Sequence, residues 1–204
     1  MTTQTAAPAP TTAPPPLRPL LDQLAAGRDL TAVRDLVEEG ARSGEGGSIV
    51  AATGLFPFLV ADLARRATAD QPLVIVTATT RAAEDLRAAL SAMVGTAHLV
   101  ELPAWETLPH ERLSPRADTV ARRLSTLRRI AHPETEDPAH VVLMPVRSLL
   151  QPIAKGLGDL RPVRAAVGDS YPLEDLERDL VDAAYVRVDM VEKRGEFAVR
   201  GGIL

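Results

Sequence analysis

The stretch Ser48–Ala64 reads SIVAATGLFPFLVADLA. A short apolar run leads into Thr53 and Gly54, and a helix-compatible run follows. This is the outline of strand, tight glycine turn and helix that opens many nucleotide-binding α/β domains. A working phosphate-binding loop ends in G-K-[ST], because the lysine meets the β/γ-phosphates and the hydroxyl meets Mg²⁺. Here Gly54 is followed by Leu55, Phe56, Pro57 and Phe58, and no G-K-[ST] occurs anywhere in the chain. Phe56 and Phe58 would place apolar bulk where phosphates sit, and Pro57 removes a backbone donor. The expectation is an α/β frame around a degenerate P-loop, Thr53 to Phe58, that binds no nucleotide or other cofactor and performs no catalysis.

The rest of the chain supplies the strands and helices such a frame needs. Ser48–Ala52 is the expected first strand and Phe58–Arg66 the first helix. Leu73–Thr77, LVIVT, and Val141–Val146, VVLMPV, are continuous apolar runs, the pattern of strands buried on both faces of a parallel sheet. His98–Leu102 is a third strand. Thr79 or Thr80 caps a helix that runs to Met93 and closes at Gly95. Ser114–Pro115 starts another, with Val120, Leu124, Leu127 and Ile130 on one face and Pro133 at its end. Ahead of this domain, Leu17–Glu39 carries two short helical patterns closed by Gly40. Leu149–Gly158 suggests a short helix and exit.

Beyond Leu160 the character changes. Arg161–Val167 reads as a strand. Leu173, Leu176, Leu180 and Val181 mark an amphipathic helix. Val186–Val191 alternates like a half-buried strand, Glu192–Gly195 is a turn, and Glu196–Arg200 is the return strand. The expected organisation is a tail over 1–16, a helicase-like α/β domain over 17–158, and the start of a small α+β domain over 159–204. The tail holds only Met, Thr, Gln, Ala and Pro, so it has nothing to bury and reads as disordered.

Composition narrows the function classes. The chain has 204 residues and a formal net charge of −4, so no global positive field argues for bulk nucleic-acid binding. Cysteine is absent, which removes disulfides, thiolate nucleophiles and cysteine metal sites and fits a cytoplasmic protein. No apolar run reaches the ~20 residues of a membrane span, and the N-terminus lacks a secretory pattern. Arginine far outnumbers lysine and asparagine is absent, a bias of GC-rich bacterial genomes rather than a functional signal.

Four further clusters have two readings each. Trp105 with Arg122, Arg123, Arg128 and Arg129 could stack on and grip nucleic acid, but a lone tryptophan is commonly a core anchor and such arginines a solvated face. His98, His110, His132 and His140 lack metal-ligand spacing. Glu174, Asp175, Glu177 and Asp179 fit the polar face of a helix. Lys193, Arg194, Glu196, Phe197 and Arg200 surround the terminal turn, where arginine and an aromatic could anchor a partner protein or simply be solvated.

Two long stretches carry a specific resemblance. LPAWETLPHERLSPRADTVARRLSTL resembles a signature near the N-terminus of the bacterial transcription-repair coupling factor family (Mfd). YVRVDMVEKRGEFAVRGGIL resembles the same family and the corresponding part of the excision-repair helicase UvrB. With the strand–TG–helix loop upstream, the resemblance covers roughly residues 20–204. It implies a UvrB-like module: a degenerate helicase-type domain followed by a second domain that binds UvrA. It implies further that the parent protein displaces stalled RNA polymerase by ATP-driven movement on DNA, through domains absent from these residues. Within the VRGG-type motif the family's UvrA-contact arginine matches Arg200, and Arg194 and Glu196 sit in the same hairpin. More of the UvrA surface would follow Leu204.

Overall fold

The computed structural model describes residues 14–107, 113–134 and 137–204. At its centre is a three-stranded parallel sheet built from β1 (Leu73–Thr77), β2 (Leu99–Glu101) and β3 (Val141–Pro145), in the order β1-β3-β2. Leu73 pairs with Val141 and Leu99 pairs with the same residue from the other side. β3 is the middle strand, and all five of its residues are buried.

Side chains alternate across this sheet and so define two cores. On one face Val141 and Leu143 meet Leu86, Leu90 and Met93 of α4 (Thr80–Val94) and Val60, Ala61 and Ala64 of α3 (Phe56–Ala64). Leu21 of α1 (Arg18–Ala25) closes that core and is fully buried. On the other face Val142 and Met144 join Val100, Leu102 and Ala139 beneath Leu127 of α5 (Ala117–Ala131). Burying each large apolar side chain stabilises the fold by about 1.5–3 kcal/mol.

The caps follow ordinary chemistry. Thr79 accepts a hydrogen bond from the Ala82 N–H at the start of α4, satisfying one orphan donor. α2 (Arg28–Ser43) runs past Gly40 and ends at Gly44, whose φ of 74° is a left-handed cap. α2 is tied to α3 by a two-pronged ion pair: Arg34 Nε and Nη2 lie 2.6 and 2.9 Å from the buried Asp62 carboxylate.

Several expectations are corrected. Ser48–Ala52 is not a strand: it has no regular secondary structure and is exposed, with Val50 98 % accessible. Gly47, just before it, sits against the Leu36 side chain of α2 rather than against a strand. β1 is consequently an edge strand, and Val74 and Val76 are exposed, not buried. They point to the same face as Val142 and Met144, but α5 covers only β3 and β2. The buried stripe of α5 is Thr119, Arg123 and Thr126, one position back from the apolar row, and Ile130 is exposed. Polar residues win that face because each finds a partner. Thr126 donates to the Glu101 carbonyl and Arg123 to the Pro103 carbonyl.

After β3 come α6 (Val146–Leu150), a 3-10 turn at Leu157–Asp159 and irregular chain through 161–167, where a strand was expected. The 3-10 turn lies so close on α5 that a Cβ at Gly158 would stand 3.0 Å from the Ala131 Cβ. α7 (Leu173–Asp182) follows, then β4 (Val186–Arg187) and β5 (Glu196–Phe197). These two strands pair in parallel, not as the expected hairpin. Among the described residues no helix is long and apolar enough to cross a membrane. Residues 1–13 of the expected tail lie outside the described residues.

Candidate functional site

The two regions singled out by the sequence, the glycine loop and the terminal turn, differ in what the fold makes of them. Thr53–Leu55 forms a single 3-10 turn that passes into α3, with Pro57 in the first helical turn. Phe58 packs against the core, while Leu55 and Phe56 are about half exposed. Of the two phenylalanines expected to place apolar bulk at the loop, Phe58 is packed inward and Phe56 is left half exposed. Around Gly54 there is open space: a Cβ there would meet nothing within 4 Å.

The terminal unit is built from α7 outward. α7 ends in a Schellman arrangement, with Tyr185 N–H donating to the Leu180 carbonyl and Ala184 N–H to the Val181 carbonyl. Ala184 takes the left-handed position of that motif at φ 65°. The chain then enters β4, where Val186 N–H and Val188 N–H donate to the Gly195 and Phe197 carbonyls. Between the strands the chain turns back on itself. Glu196 organises that turn: its Oε2 accepts from the N–H groups of Glu192 at 3.0 Å and Lys193 at 3.2 Å. The N–H of Glu192 first, with Lys193 supporting, holds the Glu196 carboxyl below its ordinary value against the opposing effect of burial.

Arg200 opens the next feature. Its backbone N–H and C=O pair with Ile203 around Gly201 (φ 57°) and Gly202 (φ 84°). Two successive positive φ angles make this a two-residue hairpin turn of the kind that requires glycine. The exposed Arg200 guanidinium donates one bond, 2.8 Å, to the Asp189 carbonyl. That contact aims the side chain without neutralising it. Beside it, Met190, Val191, Phe197 and Ile203 line an open, mainly apolar concavity of about 500 Å³.

The three residues expected to touch a partner thus have different environments. Arg200 keeps an unneutralised charge. Arg194 faces away to α5, its Nε 2.9 Å from Asp118 Oδ1. Glu196 has only 13 % of its side chain exposed and is consumed by its own turn. Phe197, also in that cluster, is buried. Sequence reasoning missed Asp118 and the Asp189 carbonyl, because neither pairing is local in the chain. It could have found the role of Glu196, since K-R-G-E places an acceptor directly after a glycine turn.

The arginines of α5 do not form a common surface. Arg123 is fully buried, Arg128 donates to the Leu160 carbonyl, and Arg129 bonds Ala97, Asp137 and Pro138. Arg122 reaches Glu101 at 3.9 Å. Trp105 lies under the Arg123 guanidinium and has its backbone bracketed by Gln151. An arginine-rich nucleic-acid face has no support in this arrangement.

The acids of α7 are largely paired: Asp175 with Arg178, Glu177 with Arg187, and Asp179 with the Tyr171 hydroxyl. Among the described residues no group of three or more His, Cys, Asp or Glu is placed to hold a metal ion. His132 pairs with Glu134 and Asp159, His98 stacks on His140, and His110 lies outside the described residues.

Residues 163–204 match the family model of the UvrB interaction domain. The chain is 55% identical over 136 residues to the transcription-repair-coupling factor of Mycobacterium tuberculosis, covering 65% of this chain and 11% of that protein. It is 35% identical over 141 residues to the factor of Myxococcus xanthus, with the same coverage. To the Escherichia coli factor it is 31% identical over 107 residues, 52% of this chain and 9% of the relative. The chain spans about a tenth of the length of the curated relatives it matches.

Proposed function

We infer that this chain, a relative of the transcription-repair-coupling factors, is a non-catalytic N-terminal adaptor module that recruits UvrA in transcription-coupled excision repair. The observation that carries this reading is a coincidence of position. The segment that matches the UvrB interaction domain, 163–204, is the segment that builds the Arg200 turn. Arg200 there offers a planar, exposed guanidinium with most of its donors unspent, beside an apolar concavity. Such a fork suits an acidic or carbonyl-rich surface, and the concavity suits an apolar anchor from the partner. Arg194 and Glu196 support the same surface indirectly. Arg194 ties it to α5, and Glu196 fixes the shape of its turn.

The glycine loop fits a module without nucleotide chemistry, since Thr53 to Phe58 provides neither the lysine nor the hydroxyl that phosphate and Mg²⁺ require. Movement on DNA and displacement of RNA polymerase would belong to other parts of the longer factors. Localisation in the cytoplasm follows from that role.

The test is a titration of UvrA into the chain, alone and within a complete factor, with and without Arg200→Ala. The expected result is binding weakened at least tenfold by the substitution. An unchanged dissociation constant would remove Arg200 from the interface.

A further inference from the structure

The N-terminal end of the central sheet carries two histidines that no role above uses. His98 precedes β2 and His140 precedes β3. Their rings stack with centroids 4.1 Å apart and planes 12° from parallel. Their backbones make the first hydrogen bonds of the whole sheet. The His98 carbonyl accepts from both His140 N–H (3.0 Å) and Val141 N–H (3.1 Å), and the His140 carbonyl accepts from Leu73 N–H (2.8 Å). All three strands are thus joined at this pair.

Charge around the pair is unbalanced. The groups acting on His140 are His98, Asp137 from the loop before β3, and Arg129 from α5. Arg129 is already spent as a clamp, donating to the Ala97 carbonyl (2.6 Å) and the Asp137 carbonyl (2.5 Å). Its Nη2 also lies 3.3 Å from the Asp137 carboxylate, which in turn lies 3.3 Å from His98 Nδ1. His98 Nδ1 sits 3.0 Å from the Pro138 carbonyl, a pure acceptor, so in the neutral ring the proton is on Nδ1. One carboxylate therefore serves Arg129 and His98 together. A proton on His140 adds a cation stacked on its neighbour and near Arg129, and among the described residues Asp137 is the one carboxylate that acts on it.

We propose that the His98–His140 stack is an acid-sensitive pin, which closes the N-terminal end of the sheet while His140 is neutral and releases it when His140 takes up a proton. Burial first, and the neighbouring His98 second, lower the proton affinity of His140 in the fold. In the unfolded chain a histidine takes its proton at roughly pH 6.5. The stabilisation is therefore complete above that pH, and is lost as pH falls from there to the point where the folded ring itself protonates. The opening is local, because the amides concerned are those of Leu73, His140 and Val141.

Two measurements on the full chain test this. The first compares urea midpoints from pH 8 to pH 5 for the wild type and His140→Phe, which keeps a flat ring and removes the proton site. The wild type should lose stability across that range, taking up more protons on unfolding than the variant. Equal pH slopes would overturn the proposal. The second needs no variant: hydrogen exchange and ring proton shifts of the wild type, followed by NMR. The expectation is a His140 midpoint below that of an unfolded histidine, with protection at Leu73, His140 and Val141 falling before that of Leu143. A His140 midpoint at or above the unfolded value, or uniform loss of protection, would overturn it.

Discussion

The Arg123 guanidinium lies 4.4 Å from the centre of the Trp105 ring and is fully buried. Nη1 donates to the Pro103 carbonyl at 2.5 Å and to Ser148 Oγ at 2.9 Å, while Nε and Nη2 are buried without partners. Burial lowers the proton affinity of this group. The contact pins the loop after β2 to α5 and α6. A cation held this way is sensitive to what replaces it. Arg123→Ala should destabilise the chain by about 3 kcal/mol, through an emptied volume and two lost hydrogen bonds, with the Pro103 carbonyl left to the longer bond from Ser148 Oγ. Arg123→Met should cost clearly less, because an apolar stem keeps the Trp105 packing and leaves no unpaired donor. Urea denaturation of both variants checks this, and a Met variant as damaged as the Ala variant would contradict it.

Glycines 158 and 54 should respond in opposite ways to the same substitution. A Cβ at Gly158 would meet the Ala131 Cβ at 3.0 Å and the Leu127 carbonyl at 3.1 Å. Gly158→Ala should therefore cost about 1–3 kcal/mol by overpacking. At Gly54 the space is open, so Gly54→Ala should shift stability by no more than about 0.5 kcal/mol. Thermal melts of the two variants decide it.

Ala184 holds a left-handed backbone position, φ 65°, at the end of α7. Side chains with a Cβ are strained there and glycine is not. Ala184→Gly should stabilise the terminal unit by roughly 0.5–1 kcal/mol. The gain should appear as slower proteolysis of the region after Leu160, whereas faster cleavage would contradict the assignment.

Glu196 gives the terminal turn its own pH dependence. The N–H groups of Glu192 and Lys193 lower its carboxyl from the ordinary value. Its contribution is thus fully present above the unfolded value of roughly 4.3 and is lost as pH falls through the lower folded value. Exchange of the Glu192 and Lys193 amides should accelerate relative to the rest of the unit in that acid window. Glu196→Gln should remove the pH dependence and, by loosening the turn, weaken UvrA binding less than Arg200→Ala.

The sheet was legible in the sequence because β-branched apolar runs such as LVIVT and VVLMP have few other uses. Thr79 as a cap was also a local matter. What the sequence hid was pairing. Ser48–Ala52 has strand composition but pairs with no strand, so it stays irregular and Val74 and Val76 remain open. On α5 the apolar row was visible, yet Thr119, Arg123 and Thr126 take the buried face because their partners come from loops distant in sequence. The parallel pairing of Val186–Arg187 with Glu196–Phe197 depends on a turn held by a single carboxylate, which periodicity does not report. For the proposed binding surface, Arg200 comes from a motif resemblance. The separation of Arg194 and Glu196 from it needed three-dimensional contacts.

If the Arg200 turn meets UvrA, as proposed, hydrogen exchange of the chain with and without UvrA will register the contact at that turn. Added protection should centre on residues 186–204, with Val199 to Ile203 the most affected, and should disappear with Arg200→Ala. Protection confined to α5 or to the Thr53–Phe58 loop, with the terminal turn unchanged, would contradict it.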